Sequence, residues 1–152
     1  MIDKQIDIIR QPRLKIIEII KHFSLEQLNQ IPDGFSNNII WNLGHMIAAQ
    51  QGICYKRTGL ETWVNDTFFQ AYKPDTKPNG LVDADGLQEI VTLLSSSLDQ
   101  LKLDYKKGIF DNYPTWTTRY GVEIAGIDDA INFLPFHEGL HIGYVMAIRK
   151  LV

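Results

Sequence analysis

The stretch His137-Glu138-Gly139-Leu140-His141 sits in a segment whose apolar residues return at helical spacing. Stepping along it by threes and fours gives Ala130, Phe133, Leu134, His137, Leu140, His141, Tyr144, Val145 and Ile148. Apart from the imidazoles and the Tyr144 hydroxyl, this is an apolar stripe of the kind that faces the core of a helical domain. Residues four apart on a helix lie one turn above each other, so His137 and His141 can bind the same metal ion. Ring nitrogens on such a stripe need partners, and a metal satisfies both rings at once.

The string also reads H-E-x-x-H, the short signature of zinc metalloproteases. Such enzymes take a third ligand downstream, a His six residues on or an acid about one helix further. Ala147 stands six residues after His141, and no His, Asp, Glu or Cys lies between His141 and Val152. The protease reading is weak, and a third ligand is expected from upstream. His22, in Lys21-His22-Phe23-Ser24, ends the first helical run, where an imidazole commonly serves the last carbonyls and the helix dipole. His45 lies in Asn38-Ile39-Ile40-Trp41-Asn42-Leu43-Gly44-His45-Met46. Its helical neighbours are Trp41, Asn42, Ala48 and Ala49, with Gly52 a turn later. Small residues on that side admit another helix or leave room for a ligand beside the imidazole. His45 is the expected third ligand. The single cysteine, Cys54, lies nine residues after His45, and steps of about 100° put it on the far side of the helix. It reads as a small buried hydrophobe.

Composition narrows the classes. A length of 152 residues suits one domain spanning residues 1–152 with a proper core. A net charge of -3 and the absence of a basic stripe argue against a nucleic-acid partner. One cysteine cannot form an intramolecular disulfide and fits a reducing compartment. Met1-Ile2-Asp3-Lys4-Gln5 does not read as a signal peptide, and no run approaches the roughly 20 apolar residues of a membrane span. A cytoplasmic protein without a membrane partner is expected.

Four long segments carry helical period. The first covers about residues 2–22, with Ile6, Ile9, Ile16 and Ile20 as its inner face; Pro12 marks a kink or a restart. Ser24 reads as the cap of a short helix closed by Pro32-Asp33-Gly34. Ser36 or Asn37 is expected to cap the second long helix, which ends near Thr58-Gly59. The third has the stripe Leu87, Ile90, Val91, Leu94, Leu98 and Leu101, with Asp85 as its cap. The fourth starts near Asp128-Asp129, and its Pro135 is expected to bend it just before His137. Trp63, Phe68, Phe69 and Tyr72 suggest a short docked helix between the second and third. Residues 107–126 read as extended chain forming a small hairpin. Connections of this length allow helices to cross over a bundle rather than alternate up and down.

Trp41-Asn42-Leu43-Gly44-His45 in the second helix, His137-x-x-x-His141-x-Gly143 in the last, and the helix order together resemble the DinB/YfiT-like family of four-helix-bundle metalloproteins. The resemblance implies an all-α fold with long crossovers and a divalent metal, zinc or nickel being usual, held by His45, His137 and His141. It also implies an open coordination position, a homodimer, and chemistry in which a low-molecular-weight thiol is activated for S-transfer or isomerisation. Many relatives have Arg and Gln around the glycine after the second His, where this chain has Ile142 and Tyr144. Roles carried by those polar groups do not transfer.

Elementary chemistry leaves two reactions open for a small-molecule substrate. Three neutral imidazoles with an exchangeable position describe a catalytic rather than a structural zinc site. A thiol entering that position would lose its proton and become a nucleophile, whereas water would become a hydroxide suited to hydrolysis. Glu138 is the candidate base for hydrolysis, although it points about 100° away from His137; a solvated or ion-paired Glu is the alternative. Trp41 and Tyr144 are candidates to line the pocket. Asn42, Glu138 and Tyr144 are, by proximity, candidate partners for the imidazole nitrogens that face away from a metal. A non-catalytic bundle using its histidines for packing or binding is the third reading.

Overall fold

A computed structural model describes residues 2–152. Its elements run α1 (Ile2–Ile20), α2 (Leu25–Asn29), α3 (Ile39–Cys54), a 3-10 turn (Lys56–Thr58), α4 (Asp66–Tyr72), α5 (Ala84–Lys106), β1 (Trp116–Thr117), β2 (Glu123–Ile124) and α6 (Ile127–Ile148). The long helices α1, α3, α5 and α6 form an all-α bundle. In it α1 and α3 each pack on both α5 and α6, so α1 lies diagonally opposite α3, and α5 opposite α6. Crossing a diagonal takes more chain than joining neighbours. Residues 21–38 and 107–126 make those two crossings, the first through α2 and the second through the antiparallel β1–β2 hairpin, which pairs Trp116 with Ile124.

The apolar stripes account for the packing. Ile6, Ile9, Ile16 and Ile20 are buried on α1, which runs through Pro12 as one helix, so no restart occurs there. Ile90, Leu94, Leu98 and Leu101 are buried on α5, while Leu87 and Val91 are partly exposed at its edge. Several caps shift from their expected positions. Asn38, not Ser36 or Asn37, accepts the Trp41 N–H at the start of α3, because its side chain stands three residues before the donor it serves. Asp83, not Asp85, does the same for Gly86 on α5. The second long helix stops at Cys54, and the chain passes through the 3-10 turn to Gly59, whose φ of 74° suits a residue without a side chain. Ser24 closes a full capping box with Gln27.

On α6 the buried line is Ala130, Ile131, Leu134, Glu138, Val145 and Ile148. The core-facing stripe is therefore rotated from the expected one: Leu140 and Tyr144 are exposed, and Glu138 is inside. The cause is Arg13, itself only 1% exposed in the α1 stripe. Its Nε and Nη2 donate to the two Glu138 carboxylate oxygens at 2.9 and 2.6 Å. Its Nη1 donates to the Leu94 carbonyl and Ser97 hydroxyl of α5 at 2.9 and 3.4 Å, and Nη2 to the Met46 carbonyl of α3 at 3.5 Å. One guanidinium thus ties α1 to the other three long helices. No described helix is long and apolar enough to cross a membrane.

Candidate metal centre

The α3–α6 packing brings His45 against His137 and His141. Their ring centroids are 4.5 Å (His45–His141), 4.6 Å (His137–His141) and 5.2 Å (His45–His137) apart. One nitrogen from each ring lies within 4.8 Å of the other two, and this is the one cluster of metal-ligating type among the described residues. His22 is exposed beyond the end of α1 and takes no part. Cys54 is fully buried in the core, away from the cluster, with burial pushing its thiol up to about 12.

Hydrogen bonds settle which nitrogen is free on two of the rings. The Tyr72 carbonyl can only accept, so the 2.7 Å bond makes His45 Nδ1 the protonated nitrogen and leaves Nε2 bare. The Asn42 amide donates from Nδ2 to Asn37 Oδ1 and the Asn38 carbonyl, at 2.9 and 2.8 Å. Its Oδ1 then accepts from His141 Nδ1 at 2.9 Å, which leaves Nε2 of His141 bare as well. Such partners fix tautomer and ring orientation in metal sites. His137 has none: its Nδ1 is buried without a hydrogen bond, a polar atom left costly unless something binds the ring. Burial, with His45 and then Arg119 and Arg13 adding positive charge, brings His137 down to about 4. Burial with His45 and His137 takes His141 to about 3. His45 is also lowered by burial, against the Tyr72 hydrogen bond. All three rings are neutral at ordinary pH, the form that binds metals. The donor set fits a divalent transition metal.

Local sequence explains the precision of His45. A Cβ at position 44 would overlap the Tyr72 ring, so Gly44 lets Tyr72 sit close enough for its carbonyl to hold the next residue's imidazole. Trp41 stacks on His45, with centroids 4.7 Å apart and planes 13° from parallel. Its indole N–H donates to the Thr76 hydroxyl at 3.1 Å, and that hydroxyl donates to the Lys73 carbonyl at 2.8 Å. The 72–76 segment therefore braces both Trp41 and His45.

The cluster opens on a chamber of about 1010 Å³ whose walls include Trp41, Tyr144, Leu140, Phe133 and Trp116. Ala49 and Gly52 also line it, so the small residues of α3 leave room for a ligand. Glu138 does not line this chamber; it is 3% exposed and committed to Arg13 through both oxygens. That is the ion-paired alternative, in a buried form. Of the candidate partners for the outer nitrogens, Asn42 is bonded to His141, whereas Glu138 is bonded elsewhere and Tyr144 packs edge-on against Phe35. Two elements lie outside the sequence reading. The Tyr72 carbonyl is a main-chain group contributed across 27 residues and has no side-chain signature. Arg13 was legible as the lone charge between Ile9 and Ile16 on an otherwise apolar face.

The fold is an α-helical bundle whose three-histidine cluster is compatible with a divalent metal site and opens on a chamber. The family model of the DinB superfamily matches residues 9–145, and the chain belongs to that superfamily. No curated protein matches it in sequence.

Proposed function

We propose that this protein is a metal-dependent enzyme that activates a low-molecular-weight thiol for S-transfer to a small electrophile. The observation that carries the reading is the tautomer pattern: Nδ1–H groups of His45 and His141 are engaged outward, leaving bare Nε2 atoms in a cluster that heads a large, partly apolar chamber. Zinc or nickel held by His45, His137 and His141 would supply Lewis acidity that lowers the pKa of a bound thiol. The chain's own residues do the rest. Asn42 and the Tyr72 carbonyl hold the rings. Trp41 and Tyr144 offer aromatic walls to the substrate, and Phe133 and Leu140 add apolar side chains to the lining.

Hydrolysis has less support. A general base for water is expected within hydrogen-bond reach of the reacting atoms, and Glu138 is occupied by Arg13 away from the chamber. The test is direct. Metal-loaded protein is mixed with glutathione, cysteine or coenzyme A and 1-chloro-2,4-dinitrobenzene, and thioether formation is followed by absorbance. Catalysis that disappears in the metal-free protein and in His45→Ala supports thiol transfer. Metal-dependent hydrolysis of a p-nitrophenyl ester by the wild type, lost in His45→Ala, with no thiol conjugation, would replace this reading by the hydrolase.

A further inference from the structure

The chamber continues well past the histidines. His45, Ala49, Gly52 and Lys56 follow one another at helical spacing along the face of α3 and its 3-10 extension that lines it. At a rise of about 1.5 Å per residue, Lys56 lies roughly 16 Å from His45 along the helix axis. Three cations, Lys56, Arg57 and Arg119, line the chamber against one carboxylate, Asp75. In a chain of net charge -3 this is a local reversal of sign.

These cations are not equivalent. Lys56 lies 3.6 Å from Asp66 and over the Phe69 ring at 4.3 Å, so its charge is partly met. Arg57 and Arg119 have no salt bridge among the described residues. The Arg57 guanidinium rests on the Trp116 ring, 3.6 Å from its centroid. That platform is itself built: the Trp116 indole donates to the Tyr113 hydroxyl at 2.9 Å, which donates to the Ile53 carbonyl of α3 at 2.8 Å. Stacking uses the flat face of a guanidinium and leaves its in-plane N–H donors for an anion. Arg119, from the turn of the same hairpin, lines the chamber as well.

We propose that this arm of the chamber is an anion subsite, in which Arg57, held on Trp116, and Arg119 receive a carboxylate or phosphate group of a small molecule whose other end reaches the three histidines. The last clause rests on the chamber being the substrate site proposed above; the anion subsite itself does not require a metal.

The probes are 1-anilinonaphthalene-8-sulfonate and its uncharged counterpart N-phenyl-1-naphthylamine, titrated by fluorescence into wild type, Arg57→Gln, Arg119→Gln and His45→Ala. Wild type should bind the sulfonate about tenfold more tightly than the neutral probe, the effect of one charge-assisted hydrogen bond. Each arginine variant should lose about tenfold for the sulfonate and keep its affinity for the neutral probe. Displacement by succinate at lower concentration than by inorganic phosphate assigns a carboxylate ligand, and the reverse order assigns a phosphate. The same arginine-dependent preference in His45→Ala supports the subsite independently of the metal reading. Equal binding of the two probes by wild type, or unchanged sulfonate binding in both arginine variants, overturns the proposal.

Discussion

Replacing Arg13 by Leu should cost more than any other single change in the core, and the reason is what it leaves behind. Arg13 and Glu138 are 1% and 3% exposed and joined by two hydrogen bonds of 2.9 and 2.6 Å. Without the guanidinium, the Glu138 carboxylate is buried with no counter-charge, a loss of about 3–5 kcal/mol. The Leu94 and Met46 carbonyls lie inside α5 and α3 and keep their own helical donors, so they add little. For a domain of this size the cost is roughly 6–20 °C in Tm. Glu138→Leu should cost a similar amount by stranding the cation. The double variant Arg13→Leu/Glu138→Leu removes both charges and should recover all but about 1–2 kcal/mol, because well-packed apolar residues replace buried ion pairs at small cost. Urea titrations followed by far-UV circular dichroism give the free energies, and the double-mutant cycle isolates the pair. A single variant losing under about 1 kcal/mol, or a double variant no more stable than either single, would refute the reasoning.

The remaining predictions concern the parts that orient the site. Gly44→Ala should weaken metal binding by about 10–100-fold, since a methyl at that position displaces Tyr72 and with it the carbonyl on His45; competition with a chromophoric chelator measures this. Asn42→Leu should weaken metal binding over the same range of about 10–100-fold, through loss of the acceptor for His141 Nδ1, in a protein that remains helical. Cys54, held up to about 12 by burial against 9.0 for a free thiol, stays protonated in the folded protein as pH rises to 9. It should therefore resist iodoacetamide at that pH and react at once in urea, as read by intact mass.

Different parts of this account were legible to different degrees. The four long helices followed from apolar spacing alone, because isoleucines such as Ile6, Ile9, Ile16 and Ile20 can be buried together only on a helix. His137 and His141 declared themselves by their four-residue separation. His45 did not; its pairing with them depends on α3 packing against α6, and it was reached by setting His22 aside as a helix-end residue and by the small neighbours Ala48, Ala49 and Gly52. Helix caps moved by a residue or two because Ser36, Asn37 and Asn38 all have capping side chains, and only the tertiary path selects Asn38. The rotation of α6 was missed because Glu138 was judged by its charge. Its position four residues after Leu134 and seven before Val145 puts it on the buried face, but that placement is affordable only with Arg13, a residue 125 positions away. The chamber's cations lie on a 3-10 turn and a hairpin turn, where periodicity carries no information about direction.

The central claim is that His45, His137 and His141 form one metal site. Inductively coupled plasma mass spectrometry tests it on untagged protein purified without chelators, beside His45→Ala and His137→Ala/His141→Ala proteins whose folding is checked by circular dichroism. The account predicts about one equivalent of a divalent transition metal in the wild type, three ligands to one ion, and none in either variant. A wild type that carries no metal and takes up neither zinc nor nickel on addition would contradict it, as would a His45→Ala protein that keeps its full complement.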